Sequence, residues 1–407
     1  MAGPLKGIRV LDLSRILAGP WASQCLADLG ADVIKIENPD GGDDTRTWGP
    51  PFFDEGEAPL AAYFMCANRG KRSVTVDIAK PEGQALIRRL AAESDIVLEN
   101  FKVGGLRKYG LDYASLAEVN PRLIYCSITG FGQTGPYAKR PGYDLLIQAL
   151  GGLMSITGEP DGMPGGGPQR AGVAVVDLFT GLYSTIAILG ALHHRTETGE
   201  GQHIDMALLD TQVAMLANQG SYFLVSGKAP VRQGNSHPTI VPYQSFETKD
   251  GHMILAVGND GQFARFCKAA GMPALAEDAR FSTNPNRVAH RAELVPIVAG
   301  IIAGRTTDEW VAVLEEANVP GGPINTIDRV FANEQVQARG IELALTAKDG
   351  SKMPSVASPI RYSKSTIEFE KAPPYLGQDT DEVLRDVLGI SPEDIAAMHA
   401  AGTIGKA

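Results

Sequence analysis

The sequence predicts an α/β protein whose larger domain is a doubly wound, mostly parallel, Rossmann-like sheet, together with a smaller α+β domain. The N-terminal part alternates short runs of β-branched and apolar residues with helical segments, which is the pattern of parallel strands joined by crossover helices. At 407 residues the chain is longer than one hydrophobic core normally organises, so a second domain is expected. The abundance of glycine and the low share of aromatic residues (7%) also suit a globular α/β protein.

The strands of the large domain are predicted from short apolar runs. The first covers residues 8–13 and leads into a helix over residues 20–29, which Gly30 ends. A second helix begins at Pro81, a residue suited to a first helical turn. The further strands are predicted at residues 32–36, 73–77, 95–98, 122–128 and 202–206.

The predicted sheet also locates a ligand site, because ligands of doubly wound sheets bind outside the carboxyl ends of the strands. The loops expected to converge there are residues 14–19, 37–44, 100–105 and 130–137. Basic residues are frequent near these strand ends. Each one alone is most simply a solvated surface charge, but several together suit a ligand with phosphates and an anionic substrate. They are Arg15, Lys35, Arg46, Arg69, Lys71, Arg72, Lys102, Arg107, Lys108, Lys139 and Arg140.

One carboxylate, Asp177, lies between two apolar runs. Residues 173–176 are rich in valine and predict a short buried strand, and residues 178–192 predict a helix with almost no polar face. A charged group at such a junction usually has a partner or a function. Two interpretations stay open from these residues. Asp177 is either a helix N-cap, or a desolvated nucleophile that the helix N-terminus keeps ionised.

The second half of the chain has a different pattern. Residues 157–168 are rich in turn-forming residues, and an apolar helix is predicted over residues 208–225. Beyond a linker, residues 243–248 and 252–257 predict a β-hairpin. The predicted domains are residues 1–225 for the large α/β domain, 226–330 for the small α+β domain, and 331–407 for a C-terminal segment that returns to the large domain and ends in helices at 379–388 and 391–400.

Composition argues against several kinds of partner. The net charge of −10 argues against nucleic acid, which needs a basic face. The only membrane-length segment, residues 173–192, contains Asp177, Thr180, Ser184 and Thr185, so a buried helix is favoured over a membrane span. No signal peptide is expected, and four scattered cysteines are typical of a reducing, cytoplasmic compartment. The seven histidines show no metal-binding spacing, so no metal is expected.

Residues 130–135 match the dinucleotide pattern G-x-G-x-x-G after a predicted strand. Pro136 and Pro141 delay the next helix, so the third glycine cannot open it as the pattern requires. A glycine loop that approaches another ligand is therefore favoured over a nicotinamide site. Hydrolase signatures are also missing, because the sequence contains no G-x-S-x-G elbow.

Taken together, short passages along nearly the whole chain resemble the class III CoA-transferases, the family of formyl-CoA transferase and carnitine CoA-transferase. Each passage is short, but their order and spacing make the resemblance specific. The passages are residues 17–20, 31–37, 68–73, 99–101, 127–132, 141–144, 176–177, 257–263 and 318–325.

The resemblance implies that Asp177 is the catalytic nucleophile, which attacks an acyl-CoA thioester to form a mixed anhydride and then an aspartyl-CoA thioester. A mobile glycine loop, here Gly258, Asn259, Asp260 and Gly261, would shield or stabilise the anhydride oxygens. The residues that the resemblance implies for CoA contacts are Ile16, Leu17, Ala18, Asn100, Phe101, Lys108, Lys139 and Arg140. Family members form interlocked homodimers, two chains threaded as linked rings, and the same is expected here.

The chain departs from the family pattern in one place and leaves two alternatives. Asn38 stands where formyl-CoA transferase has an arginine, so one adenine or phosphate contact must differ. The α-methylacyl-CoA racemases share the fold but need a histidine where this chain has Tyr143, and a tyrosine of pKa about 10 is a poor base at neutral pH. A non-catalytic CoA- or nucleotide-binding protein would keep the basic loops without needing Asp177.

Within the family, residues 42–52, which include Trp48, and residues 237–244 look most like the branch that transfers CoA from succinyl-CoA to glutarate or a similar dicarboxylate. Such an acceptor needs one carboxylate free to react while the other is held, and arginine matches a carboxylate with two parallel hydrogen bonds. The candidates for this role are Arg46 and Arg15, with His237 as a weaker one.

Overall fold

The computed structural model describes residues 2–369 and 371–405. Its residues form two compact units. Unit 1 comprises Met1–Leu153, Ala171–Ser226 and Gln335–Ala407, and unit 2 comprises Met154–Arg170 and Gly227–Glu334. Residues 154–170 thus belong to unit 2, whereas the sequence analysis placed them with the N-terminal domain.

The strands have the following bounds in chain order: β1 (Arg9–Asp12), β2 (Asp32–Glu37), β3 (Phe52–Phe53), β4 (Leu60–Ala61), β5 (Lys71–Thr75), β6 (Ile96–Glu99), β7 (Ile124–Thr129), β8 (Gln202–Ala207), β9 (Tyr243–Glu247), β10 (His252–Ala256), β11 (Gly321–Pro323), β12 (Glu342–Thr346) and β13 (Lys352–Val356).

The helices are α1 (Ala18–Asp28), α2 (Ala62–Met65), α3 (Pro81–Ala92), α4 (Tyr113–Ala117), α5 (Asp144–Leu150), α6 (Leu153–Ile156), α7 (Val175–Thr198), α8 (Leu208–Met215), α9 (Ala217–Ser226), α10 (Asp260–Ala269), α11 (Ala274–Glu277), α12 (Asn284–Ala289), α13 (Arg291–Ile302), α14 (Thr307–Glu316), α15 (Ile327–Ala332), α16 (Glu334–Ala338), α17 (Thr380–Leu388) and α18 (Pro392–Ala400). Two 3₁₀ turns lie at Asp44–Thr47 and Arg107–Tyr109.

Unit 1 is built on a six-stranded sheet of order β5-β2-β1-β6-β7-β8. All neighbouring strands in it pair in parallel, as predicted. The chain starts at β1, moves outward to β5, and then returns to β6 before moving outward to β8. The order of winding reverses between β1 and β6, and in doubly wound sheets a crevice for ligands opens at the carboxyl ends of the two strands at this point.

Helices cover both faces of this sheet because its strands alternate their apolar side chains between two cores. Leu11 and Ile34 belong to the core that α3 and α17 complete. Val10 and Val33 belong to the opposite core, which α1 and α7 complete. Small hairpins, β3 with β4 and β12 with β13, extend unit 1 outside the central sheet.

Unit 2 contains the antiparallel sheet β11-β10-β9, including the predicted hairpin, in which His252 pairs with Glu247. Its separate core is rich in aromatic side chains, among them Phe246, Phe263 and Trp310, which lie on β9, α10 and α14. This arrangement agrees with the α+β character that the sequence predicts for this region.

The strand predicted at residues 173–176 is wrong. Val173 is exposed, and α7 already begins at Val175, so Asp177 lies inside the first helical turn instead of at a strand end. The single long helix predicted over residues 208–225 is also wrong in detail. It is divided into α8 and α9 at Ala217, whose φ of 45° is incompatible with a continuous right-handed helix.

The described residues include one helix, α7, that is long and apolar enough to cross a membrane by length and composition. A core helix of a soluble protein passes the same test, and Val176, Ile188 and Ala191 of α7 are indeed buried in unit 1. The four cysteines are all free; Cys126 and Cys267 are buried, and Cys66 is exposed.

Candidate active site

A cavity of about 450 Å³ opens in unit 1 at the carboxyl ends of β1, β6 and β7. It therefore lies at the reversal of strand order, where the fold is expected to bind a ligand. Three of the four loops that the sequence predicted to converge supply its walls. Predicted site residues that line it are Arg15, Ile16, Leu17, Ala18, Asn100, Phe101, Lys108, Lys139, Arg140, Tyr143 and Asp177.

The fourth predicted loop, residues 37–44, does not line this cavity. Its first residues, Glu37 and Asn38, instead line a smaller cavity of about 270 Å³ over the ends of β1, β2 and β5. The walls of this second cavity combine apolar side chains, such as Ile36 and Val76, with the polar side chains of Asn38 and Asp77. The two cavities share Arg15, Phe101 and Tyr109, so they are adjacent.

The loop after β1 and the loop after β6 are joined across the reversal by Asn100. Its side-chain oxygen accepts the Arg15 N–H at 2.9 Å, and its side-chain nitrogen donates to the Arg15 carbonyl at 2.7 Å. An amide is the side chain that offers both a donor and an acceptor for such a reciprocal contact. The neighbouring Ile16 has a φ of 73°, a left-handed conformation that costs a β-branched residue on the order of 1–3 kcal/mol.

Phe101 is fixed in the same wall by a buried carboxylate. Its backbone N–H donates to Glu99 Oε2 at 2.8 Å. Burial of Glu99 raises the pKa of its carboxyl to about 7. The sequence analysis did not single out Glu99, because a glutamate at a strand end carries no pattern that distinguishes burial from exposure.

Two glycines let two backbone segments meet in the cavity wall. A Cβ on Gly130 would lie 2.6 Å from the Cα of Gly142, so neither position has room for a side chain. This close approach joins the loop after β7 to the segment that leads into α5. The close approach therefore explains why residue 130 of the G-x-G-x-x-G match is a glycine, and no dinucleotide ligand is needed to explain it.

Basic side chains form the outer part of the cavity. Lys108, Lys139 and Arg140 are all exposed at its edge. The Arg140 guanidinium lies 4.4 Å from the ring centre of Tyr137 and 5.6 Å from that of Phe131, so aromatic contacts orient it. These cations supply the positive field that phosphate groups require.

Asp177 lies at the inner part of the cavity, half-buried in the first turn of α7. The helix N-cap is Ala174, whose side chain makes no cap hydrogen bond. Asp144 of α5 acts instead, because its Oδ1 accepts the N–H groups of Val176 at 2.8 Å and Asp177 at 3.3 Å. The interpretation of Asp177 as the helix N-cap is therefore wrong.

The electrostatic surroundings of Asp177 favour its neutral form. Burial, and then the nearby negative charge of Asp144, raise the pKa of its carboxyl to about 7. The expectation that the helix N-terminus keeps Asp177 ionised therefore needs correction, since Asp144 already occupies the free N–H groups there.

Tyr63 is a neighbour of Asp177 that the sequence did not indicate. Burial, and then the charge of Asp177, raise the pKa of its phenol to about 12, so Tyr63 stays a neutral hydrogen-bond donor. The predicted site residue Trp48 packs edge-on against Tyr63, with 5.1 Å between ring centres. Trp48 thus contacts a neighbour of Asp177 without lining the cavity itself.

Arg46 is not available for a substrate carboxylate. It is buried, and its Nε and Nη2 donate to the two oxygens of Glu37 at 2.8 and 2.7 Å while its guanidinium lies 3.8 Å from the ring centre of Phe64. Arg15 differs, because it lines the cavity and its only ion pair is an exposed one with Asp44 at 2.9 Å among the described residues.

Several of the predicted basic residues are buried instead of solvated. Lys35 and Lys71 are fully buried on β2 and β5, and Arg69 forms a buried pair with Asp28. These side chains are part of the interior of unit 1, so the cationic surface near the cavity is smaller than the sequence suggested.

The remaining predicted residues lie in unit 2. The His237 ring lies tilted against that of Tyr243, with 5.3 Å between ring centres. In the glycine loop, the Gly258 N–H donates to the Gln262 side chain at 2.7 Å and Asn259 caps α10. Asp260 pairs with the fully buried Arg287 at 2.8 Å, and Gly261 follows it in the first turn of α10.

Comparison with known proteins agrees with this geometry. A family profile described as "CoA-transferase family III" matches residues 5–380. A succinate–glutarate CoA-transferase of Agrobacterium fabrum is 55% identical over 94% of this chain and 96% of the relative. A succinyl-CoA:glutarate CoA-transferase of Homo sapiens is 42% identical over 99% of this chain and 90% of the relative.

Among solved structures, a CAIB/BAIF family protein from Brucella suis is 51% identical, with a TM-score of 0.86 over 95% of this chain and 100% of that chain. The family profile extends over most of unit 1 and all of unit 2, and the Agrobacterium fabrum relative aligns with nearly the full length of the chain. The chain therefore belongs to CoA-transferase family III and is a CoA-transferase.

Proposed function

We propose that this enzyme moves CoA from succinyl-CoA to glutarate or a similar short dicarboxylate, with Asp177 as the nucleophile. The observation that carries the proposal is a carboxylate of raised pKa in a cavity at the strand-order reversal, whose lining also includes several exposed cations. The names of the Agrobacterium fabrum and Homo sapiens relatives support the choice of donor and acceptor.

The proposed reaction begins when an oxygen of the ionised Asp177 attacks the thioester carbonyl carbon. The C–S bond breaks, CoA leaves as a thiolate, and a mixed anhydride remains on Asp177. The thiolate then attacks the Asp177 acyl carbon, which releases succinate and leaves an aspartyl-CoA thioester. The acceptor carboxylate and the thiolate repeat these two steps in reverse order, which gives the new acyl-CoA and restores Asp177.

A carboxylate suits this sequence of steps because it needs no base once it is ionised. Removal from water makes the carboxylate more reactive, and the raised pKa of Asp177 reflects that desolvation. Tyr63, which stays neutral, is a candidate donor to the oxygens of the acyl intermediates.

The two adjacent cavities suggest how the CoA moiety would bind. The larger one would take the thioester and its pantetheine arm, with the phosphates near Lys108, Lys139 and Arg140. The smaller one would take the adenine ring, which could pack on its apolar side chains while Asn38 offers an amide. Asn38 would thus provide the contact that differs from formyl-CoA transferase.

Arg15 is the proposed holder of the acceptor's second carboxylate. It lies in the cavity wall, and its exposed partner Asp44 can be exchanged for a substrate at little cost because exposed ion pairs are weak. The racemase alternative gains no support, because the described lining of the cavity contains Tyr143 but no histidine.

The test replaces Asp177 by Ala and by Asn and measures turnover separately from CoA binding. Both variants should lose CoA transfer by at least a thousandfold while calorimetry still detects CoA binding. Asp386→Asn, an exposed aspartate on α17, is the matched control and should behave as wild type. Retained transfer in Asp177→Ala would exclude the mechanism, and binding without any transfer in the wild type would favour the non-catalytic alternative.

The substrates are tested with a panel of donors and acceptors. Succinyl-CoA should be a good donor, and glutarate should exceed pentanoate, which has the same chain length but lacks the second carboxylate. Malate, itaconate and oxalate complete the panel. Incubation with succinyl-CoA alone should leave CoA attached to the peptide that contains Asp177, detected by mass spectrometry. Equal rates with glutarate and pentanoate would contradict the dicarboxylate assignment.

A further inference from the structure

A fully buried ion pair lies beneath the loop that follows β1. Lys35 on β2 and Asp43 are both inaccessible to solvent, and their charged atoms are 2.8 Å apart. Burying two charges is costly unless their remaining hydrogen-bonding groups are also satisfied. The partners that satisfy these two side chains therefore indicate what the pair holds in place.

Those partners are backbone groups of the loop. Lys35 Nζ donates to the Ser14 carbonyl at 2.8 Å. The two oxygens of Asp43 accept the Ile16 N–H at 3.2 and 3.3 Å. The two ends of the ion pair thus hold peptide groups on either side of Arg15.

Asp43 is itself fixed by hydrogen bonds with Thr45 and Glu37. It accepts the N–H and the hydroxyl of Thr45 at 3.0 and 2.8 Å, and its own N–H donates to Glu37 at 2.9 Å. Burial alone would raise the pKa of Asp43, but the charge and hydrogen bond of Lys35, together with two hydrogen bonds from Thr45, lower it to about 2. The carboxylate therefore stays ionised and fixed.

The loop needs such fixation because of Ile16. Its φ of 73° is unfavourable for a β-branched residue, so the free loop would prefer another conformation. Ile16 and its neighbours Arg15, Leu17 and Ala18 line the larger cavity. A change of the Ile16 backbone would therefore alter the cavity wall itself.

We propose that Lys35 and Asp43 are positioning residues, which hold the Ser14–Ile16 backbone in the strained conformation that receives the acyl-CoA. The inference rests on the proposed placement of acyl-CoA in this cavity. Neither Lys35 nor Asp43 lines the cavity itself, so the pair acts on the cavity through the loop backbone that it holds. Its loss should weaken binding of acyl-CoA more than it slows the chemical steps.

The matched comparison is the pair Arg69–Asp28 in the same unit. It is also buried, with two hydrogen bonds of 2.9 and 2.6 Å, but neither residue lines the cavity. Asp43→Asn should raise the KM for succinyl-CoA and the Kd for CoA about tenfold and change kcat less than threefold. Asp28→Asn should lower the melting temperature to a similar extent and leave both constants unchanged.

A second variant distinguishes loss of CoA binding from loss of folding. Lys35→Met combined with Asp43→Asn removes both charges together, so no unpaired charge stays buried. It should show the same rise in KM and Kd. If this double variant folds and binds CoA as tightly as the wild type, the positioning role is wrong.

Ile16→Gly tests whether the pair acts through the strained backbone, since glycine adopts a positive φ without strain. In the Ile16→Gly background, Asp43→Asn should raise the KM less than threefold. A tenfold rise in both backgrounds would overturn the proposal. Absence of CoA binding by the wild type would instead overturn the proposed function and this inference with it, which separates the two failures.

Discussion

The environment of Asp177 lowers the fraction of its carboxyl group that is ionised at neutral pH. The same environment makes the ionised carboxylate more reactive. Burial and Asp144 raise its pKa to about 7, so the ionised form is lost as the pH falls through that value. The sequence indicated this residue because a charge between apolar runs is unusual. The sequence could not indicate that the charge of Asp144 raises the pKa of Asp177, because the two residues meet only through the packing of α5 against α7.

The pH dependence of the reaction should follow from this environment. The reactive form is the deprotonated one, so kcat/KM for succinyl-CoA should rise with pH, reach half its maximum near pH 7, and level off above it. Initial rates between pH 5 and pH 9 in buffers of constant ionic strength measure the profile. A half-maximum near pH 4 would mean that Asp177 is not desolvated in the free enzyme.

Asp144→Asn provides the control for the cause of the shift. Asparagine keeps an oxygen that can accept the Val176 N–H, but it removes the like charge beside Asp177. The half-maximum should therefore move to lower pH. An unchanged midpoint would show that burial alone sets the pKa of Asp177.

At the scale of elements, the sequence predicted the strands of the large sheet well and the start of α7 poorly. Buried parallel strands are continuous runs of β-branched residues, and β1, β2 and β6 begin or end within about two residues of their predicted bounds. The valines before Asp177 have the same character, but Val173 is exposed and the run enters a helix. What decides between the two structures is the capping carboxylate of Asp144, which belongs to a different helix.

The positions of the buried cations also could not be predicted from the sequence. Lys35 and Lys71 stand next to apolar residues in strands, where a charged side chain usually faces solvent. Asp12, the partner of Lys71, lies on β1, two strands away in the sheet, and Asp43, the partner of Lys35, lies in the loop that follows β2 and folds back under it. The loops that converge on a ligand can be predicted from the order of strands, whereas buried ion pairs depend on side-chain geometry that the sequence does not reveal.

Asp379 is one of several residues that join the C-terminal segment to the edge strand β5, with Gly377 and Thr380 beside it, and its removal should destabilise unit 1. Asp379 is buried, accepts the Ser73 N–H at 2.8 Å and pairs with Lys348 at 2.7 Å. Asp379→Ala leaves the Ser73 N–H unpaired and should lower the free energy of unfolding by about 1–3 kcal/mol, measured by urea denaturation.

The control is Asp386→Ala on the same helix, α17. Asp386 pairs with Arg385, but both side chains are more than half exposed. An exposed pair contributes about 0–1 kcal/mol, so this variant should unfold nearly as the wild type does. Equal losses for the two variants would show that Asp379 does not anchor the segment.

At the scale of the whole molecule, unit 1 exposes large apolar side chains on neighbouring turns of two helices. Large apolar side chains are exposed on α7 and α9, and Leu224 and Val225 of α9 are 82% and 89% exposed. Surfaces of this kind usually mark an interface between proteins. The family resemblance predicts what covers it, namely a second copy of the chain in an interlocked homodimer.

The homodimer can be tested by its response to dilution. Light scattering should give twice the mass of one chain, and the mass should not fall on dilution to nanomolar concentration, because linked rings cannot separate without unfolding. Leu224→Glu combined with Val225→Glu should impair assembly during refolding, since a partner would have to bury two charges. Val356→Glu, at an exposed position on β13, is the control and should leave the mass unchanged. A dimer that dissociates on dilution would mean that the two chains meet through a simple surface instead of linked rings.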